Sequence, residues 1–315
     1  MKTYAITGAT GFVGEALARR LLSQGHRVIA LVRDGEPPEG CHIVRGELED
    51  FAACTRLINE SLPDTVFHVA AQAMVGVAQR DPFGTFESNV RGTYNLLEAT
   101  RRLNQFKPLD FVMASSDKAY GEMRVYADGT SPYEEDDPLE GRGPYDCSKS
   151  CADLIAQSYG RSYGMNVGIV RAGNIYGPGD TEQSRIVPSV MANIACGERP
   201  LILSDGTPLR NYLYIDDAVE GYLAVEKRNA GTRAYNLAGD ETLSVKDLAL
   251  RMCDILCAPW GRELDIVGIR KSGEIKSQEL NTERARTELG WKPRVSLDDG
   301  IARTWMWYNG VKEET

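Results

Sequence analysis

The stretch Lys2-Thr3-Tyr4-Ala5-Ile6-Thr7-Gly8-Ala9-Thr10-Gly11-Phe12-Val13-Gly14 runs from an apolar, β-type segment through a glycine turn into an amphipathic helix over residues 12–24. Its three glycines have separate steric tasks. Gly8 permits the tight turn, Gly11 lets the backbone approach a pyrophosphate, and Gly14 lets the helix settle against its strand. A glycine triplet alone carries little weight in a chain with 31 glycines. Its position is what gives it meaning: a strand before it, a helix after it, Gly25 as the helix stop, then a second strand at 27–33. The expectation is a dinucleotide-binding entrance in which Thr10, Phe12 and Val13 complete the cofactor loop; the alternative is a ligand-free βαβ turn.

The same alternation continues downstream. Strand-like runs at 41–45, 64–70, 109–115 and 166–171 are separated by helical runs at 49–61, 82–104 and 145–163. Regular βα repetition with strands apolar on both faces predicts an α/β fold, a Rossmann-like doubly wound parallel sheet. Past Gly173 the rhythm loosens around Pro178, Pro188, Pro200 and Pro208. This divides the chain into a dinucleotide-binding domain at 1–173, to which 207–231 returns, and a smaller α/β lobe over 174–315 that takes the substrate. Ligands of such sheets lie beyond the carboxyl ends of the strands, so the residues just past each strand are the candidates for chemistry.

Composition narrows the class. The 315 residues, 42% apolar and 26% charged, suffice for one large core or two linked ones. There is no apolar run of about 18 residues and no basic-then-apolar leader, which predicts a cytoplasmic protein with no membrane partner. A net charge of −9 weighs against a nucleic-acid partner. Seven scattered cysteines make no disulfide framework. Cys147 with Cys151, and Cys253 with Cys257, stand one helical turn apart but lack a histidine or second pair for zinc, so no metal site is expected and buried thiols are the reading. His26, His42 and His68 read as core or surface histidines, and the acidic run 133–137 as a solvated loop.

Three strand ends carry reactive groups. Ala70, Ala71 and Gln72 are small or neutral enough to let a dinucleotide lie against the backbone. After the fifth strand comes Ser115-Ser116-Asp117-Lys118-Ala119-Tyr120-Gly121, with a hydroxyl, a carboxylate and an amine at the functional edge. Tyr145 and Lys149 then share a helix face at i, i+4 spacing. A phenol with a pKa of about 10 is a poor base near neutrality; a neighbouring ammonium and an oxidised nicotinamide favour its phenolate. Tyr145 could then take a hydroxyl proton as a hydride leaves the same carbon, with Lys149 on the nicotinamide ribose and Ser116 on the reacting oxygen. The second strand ends in Arg33 and Asp34. The acid would bond the ribose of NAD and the arginine would accommodate NADP, and both remain open here. Glu47 and Leu48, after the third strand, are further candidates near the adenine.

Together, Thr7-Gly8-x-x-Gly11-x-x-Gly14, the serine after the fifth strand and Tyr145-x-x-x-Lys149 resemble the extended short-chain dehydrogenase/reductase family, NAD-dependent epimerase/dehydratase type. The likeness covers nearly the whole chain. It extends to Arg171-Ala172-Gly173-Asn174-Ile175-Tyr176-Gly177-Pro178, to residues 210–217 and to residues 288–293. The resemblance implies a nucleoside-diphosphate hexose as substrate, NAD as cofactor, a homodimer built by the helices at 82–104 and 145–163, and Asn89 as a further cofactor contact. It also implies Asn174, Arg185, Val187, Arg210, Lys271 and Glu274 as substrate contacts, with Arg210 on the pyrophosphate.

The two residues after the serine separate the reactions of this family. Epimerases there carry small or apolar residues; 4,6-dehydratases carry an acid and a base for eliminating water across C5 and C6. Asp117 and Lys118 resemble the branch that acts on CDP-glucose, with Lys118 as the C5 base and Asp117 as the acid. A plain salt bridge is the alternative for the pair. A 4-epimerase using Ser116, Tyr145 and Lys149 alone, and a non-enzymatic dinucleotide-binding protein, are the alternatives for the chain.

Overall fold

The computed structural model describes residues 1–123, 125–126, 129–228, 231–269 and 275–310. The first half alternates β1 (Thr3–Thr7), α1 (Phe12–Ser23), β2 (Arg27–Val32), β3 (His42–Arg45), α2 (Phe51–Ser61) and β4 (Thr65–His68). Next come α3 (Val75–Arg80), α4 (Pro82–Phe86), α5 (Gly92–Asn104) and β5 (Asp110–Ala114). A hairpin of β6 (Val125–Tyr126) and β7 (Gly129–Thr130) precedes α6 (Pro144–Tyr163) and β8 (Asn166–Ala172). The second half holds β9 (Asn174–Tyr176), α7 (Ile186–Ala195), β10 (Leu201–Ile202), β11 (Leu209–Tyr214), α8 (Ile215–Arg228) and β12 (Arg233–Leu237). It closes with β13 (Thr242–Ser244), α9 (Val245–Ile255), β14 (Asp265–Ile266), α10 (Glu283–Leu289) and α11 (Leu297–Tyr308).

Seven strands form a parallel sheet in the order β12-β8-β5-β4-β1-β2-β3. The order reverses at β1, between β4 and β2, and this switch point is where a doubly wound sheet opens a crevice. Alternate residues of a strand face opposite sides, and here both sides are covered. Tyr4, Ile6, Val28 and Ala30 enter the core beneath α1 and α8, whereas Ala5, Ile29 and Leu31 enter the core with Ala53, Leu57, Leu96 and Ala156. Both faces being dry explains why the strands read as unbroken apolar runs.

Two departures from the sequence expectation have physical causes. The helix expected over 82–104 runs through without a gap, but a π turn at Glu87–Arg91 joins α4 to α5. Such a turn inserts one residue per helical turn, and here it seats Asn89 inward. The strand and helix after residue 207 part company. β11 pairs with β9 and β13 in a separate three-stranded sheet, while α8 packs against α1 and β8 and β12 closes the edge of the main sheet.

The acidic run 133–137 is not simply solvated. Tyr133 and Glu135 are buried, because the Tyr133 ring stacks on Tyr120 at 4.7 Å and Glu135 Oε1 accepts from the Asn236 N–H at 2.9 Å. All seven cysteines are free thiols; Cys54 and Cys253 are buried, but Cys196 and Cys257 are exposed on turns after α7 and α9. Among the described residues, no helix is long and apolar enough to cross a membrane.

Candidate active site

The glycine loop leaves an anion-sized cradle. Gly8 has φ +80°, and a Cβ there would lie 2.7 Å from Ala70 N, so the β1 turn and the end of β4 close against each other through a missing side chain. A Cβ on Gly14 would lie 2.0 Å from Gly8 O, which fixes how closely α1 approaches the turn. Gly11 meets nothing closer than 3.5 Å and is the N-cap of α1, with no side chain capping the first N–H groups. Thr10 and Gly11 are exposed, Phe12 and Val13 half-buried. The bare N-terminus of a 12-residue helix behind close-packed glycines fits a pyrophosphate.

The floor of this crevice is held by hydrogen bonds. The Gln72 N–H donates to Asn89 Oδ1 at 2.7 Å; Asn89 Nδ2 donates to Gln72 O and to Ser148 Oγ at 3.0 and 2.9 Å. Asn89 thus fixes the backbone beyond Ala70 and Ala71 and ties it to α6. His68 is bonded between the Thr7 and Thr93 hydroxyls at 2.8 and 2.9 Å, and burial pushes its pKa down to about 3, so it is a neutral brace. Leu48 is buried against Gly92, and its carbonyl accepts from Asn95; Glu47 beside it is exposed. Arg33 and Asp34, both exposed, pair with each other at 2.9 Å.

Successive turns of α6 reach successive residues at the end of β5. Tyr145 hydrogen-bonds Ser116, and Lys149 Nζ donates to Ala114 O at 2.9 Å. Burial and the Asp117 charge hold the Tyr145 phenol above its ordinary pKa, against the Ser116 bond and the Arg185 charge, which both pull it down. Burial lowers the Lys149 pKa to about 8. The amine expected to face the phenol is therefore turned onto a main-chain carbonyl here, and Arg185 is a cation whose field favours the phenolate.

Asp117 and Lys118 lie on a 3-10 turn, Asp117–Tyr120, with Ser116 as its N-cap. Asp117 is 1% exposed; its Oδ1 accepts from Ser116 Oγ at 2.9 Å and from Lys118 Nζ at 3.4 Å. Lys118 Nζ also donates to Asn174 Oδ1 at 3.4 Å. A hydroxyl, a carboxylate, an amine and a phenol are thus brought together at the carboxyl edge of the sheet.

The second-lobe candidates are more dispersed. Arg185, at the N-terminus of α7, pairs with buried Asp180 at 3.1 Å. Arg210 donates to the carbonyls of Leu209, Ile275 and Lys276, which secures the segment after residue 274. Val187, on α7, is buried in the core. Lys271 and Glu274 lie outside the described residues.

Residues 4–238 match the model of the NAD dependent epimerase/dehydratase family. The chain belongs to that family. It is 32% identical to a dTDP-glucose 4,6-dehydratase of Streptomyces griseus, over 96% of this chain and 93% of the relative. It is 28% identical to a CDP-glucose 4,6-dehydratase of Salmonella typhimurium, over 98% and 90%. Among solved structures, a UDP-glucose 4-epimerase of Thermotoga maritima with UDP-glucose superposes with a TM-score of 0.88 at 25% identity, covering 98% of each chain.

For an NAD dependent epimerase/dehydratase, the site holds residues to which the sequence reading gave no role. Asp146, next to Tyr145, is buried; its Oδ2 accepts from Gly143 N at 3.3 Å, and it lies within the field of Lys118. Burial holds its carboxyl above the ordinary range. Behind the site, Arg171 and Asp153 form a sealed ion pair bonded to Ser115 and Tyr120. An acid three residues past Gly143 at a helix start, and an arginine inside an apolar strand, were the available signals.

Proposed function

We propose that this protein is an NAD-dependent nucleoside-diphosphate-hexose 4,6-dehydratase, with CDP-glucose as the first substrate to try. The observation that carries this reading is the Asp117–Lys118 pair, packed beside Ser116, with Tyr145 within the field of Asp117. The glycine loop with Thr10, Phe12 and Val13, the backbone at Ala70, Ala71 and Gln72, Asn89 and Lys149 would hold the cofactor. Arg33 is engaged by Asp34, which favours NAD over NADP.

Bound NAD supplies a hydride acceptor for C4, the same hydride for C6 afterwards, and a positive charge that favours the phenolate. Tyr145, deprotonated, takes the C4 hydroxyl proton while Ser116 holds that oxygen. The new ketone acidifies C5–H. Elimination requires Lys118 as the free amine and Asp117 as the carboxylic acid, side by side across their 3.4 Å contact. The Lys118 amine then takes the C5 proton, and Asp117 protonates the departing C6 hydroxyl, which leaves as water. A proton delivered to C5 completes the 4-keto-6-deoxy sugar. Asn174, Arg185 and Arg210 would meet the diphosphate and sugar once their present partners yield.

The family also contains 4-epimerases, and Ser116, Tyr145 and Lys149 alone would serve one. Incubation with NAD and CDP-, dTDP-, UDP- and GDP-glucose, followed by mass spectrometry, separates the readings. A dehydratase gives a product lighter by one water, and an epimerase a product of unchanged mass. Exposed Phe83 on α4, Tyr94 on α5 and Leu154 on α6 support a homodimer through these helices, to be checked by light scattering.

A further inference from the structure

α6 presents Tyr145, Lys149 and Asp153 on one face at successive turns, and each side chain reaches a different residue at the end of β5. The third contact is sealed. Asp153 accepts from Ser115 Oγ at 2.7 Å and from Arg171 Nε and Nη2 at 2.8 and 3.0 Å, with both side chains of the ion pair almost wholly buried. The remaining arm of Arg171 does not point back at α6. Its Nη1 donates to Tyr120 OH and to Glu135 O, both at 2.8 Å, and Tyr120 OH donates to Asn236 Oδ1 at 2.7 Å. Tyr120 is the last residue of the 3-10 turn that carries Asp117 and Lys118.

We propose that Arg171 is a positioning residue that fixes the Asp117–Lys118 turn against the Tyr145–Lys149 helix, so that the elimination step depends on it more than the oxidation at C4 does. The asymmetry comes from how each element is otherwise held. α6 is a 20-residue helix packed on α5, α4 and β8, and stays in place without this one brace. The turn has four residues. Besides its own cap, it is held by Ser150 Oγ on Ala119 O at 2.7 Å, by the Lys118–Asn174 contact at its open end, and by Tyr120 through its OH and its stack on Tyr133. Loosening the Tyr120 anchor, at the far end of the turn from Ser116, lets the acid–base pair drift while Tyr145 and Lys149 keep their places on α6. A displacement of ~1 Å at a reacting group can cost on the order of 10²-fold in rate.

This inference rests on the dehydratase reading, and the experiment separates the two. The holoenzyme is given whichever of CDP-, dTDP-, UDP- and GDP-glucose the wild-type protein dehydrates, in single turnovers. C4 oxidation is followed by the absorbance of reduced nicotinamide and elimination by loss of water in mass spectrometry. Tyr120→Phe removes one hydroxyl and keeps the ring stack; Arg171→Lys keeps the charge and loses the fork. The expected result is C4 oxidation within about twofold of wild type, transient build-up of reduced nicotinamide, and water loss slowed about tenfold in Tyr120→Phe and more in Arg171→Lys. Equal slowing of both steps, or no slowing of either, would overturn the proposal. Tyr120→Phe decides the matter if Arg171→Lys does not fold. Wild-type protein that removes water from none of CDP-, dTDP-, UDP- and GDP-glucose would instead overturn the dehydratase reading, and this inference with it.

Discussion

Two carboxylate–cation pairs flank α6, and they are built in opposite ways. Asp153 and Arg171 meet through two prongs, with side chains 0% and 2% exposed, and their remaining bonding capacity is spent on Ser115, Gln157, Tyr120 and Glu135. Asp117 and Lys118 meet through one 3.4 Å contact, and the Lys118 side chain remains 21% exposed. A pair that holds a fold directs its hydrogen bonds inward. A pair left under-bonded at the rim of a crevice keeps donors and acceptors for something that enters. The contrast argues that charge pairing alone identifies neither role; saturation does.

The largest effect should come from breaking the open pair. Lys118→Met is expected to slow water loss by about 10³-fold, within the range for a general base, while C4 oxidation of CDP- or dTDP-glucose changes only a few-fold. Its thermal midpoint should move by less than about 4 °C, since the pair meets through a single 3.4 Å contact and Asp117 keeps its bond from Ser116. Breaking the sealed pair should do the reverse first. Arg171→Met leaves Asp153 buried without its cation, and denaturant titration should show a loss of about 3 kcal/mol or more. A melting curve unchanged by Arg171→Met would erase the distinction between the pairs.

A smaller effect concerns Lys149, which lies between Tyr145 and Asp153 on one face of α6. Its folded pKa of about 8 is below the ordinary lysine value of 10.5, so the folded state sheds this proton before the unfolded chain does. Between those two values the unfolded chain binds more protons, and stability rises with pH. Relative to Lys149→Met, the cofactor-free wild type should therefore gain stability as pH goes from about 8 to 10.5 and show a constant deficit below 8. A difference that does not vary with pH would mean that the amine is not desolvated.

Most of the sheet was legible because local chemistry dictates it: apolar runs of strand length, glycines where a side chain cannot fit, and a helix stop at Gly25. The Ser116, Tyr145 and Lys149 set was legible for a similar reason, since each stands at a strand end or on one helix face. What could not be read depends on partners distant in sequence. The π turn within the helix over 82–104 serves Asn89, whose partners are Gln72 and Ser148. The burial of Glu135 depends on Asn236, and the turn of Lys149 toward Ala114 depends on how α6 seats on β5. Arg171 looked like one letter of a motif, and only the fold reveals that its fork joins a helix to a turn.

The most direct test of the central claim, that Asp117 and Lys118 carry out an elimination, is to run the reaction in deuterium oxide with CDP-glucose and with dTDP-glucose and weigh the product. The account predicts a sugar nucleotide lighter by one water that has gained one solvent deuteron at C5, with Asp117→Asn and Lys118→Met blocking both changes. A product of unchanged mass with no carbon-bound deuterium, formed equally well by both variants, would contradict it.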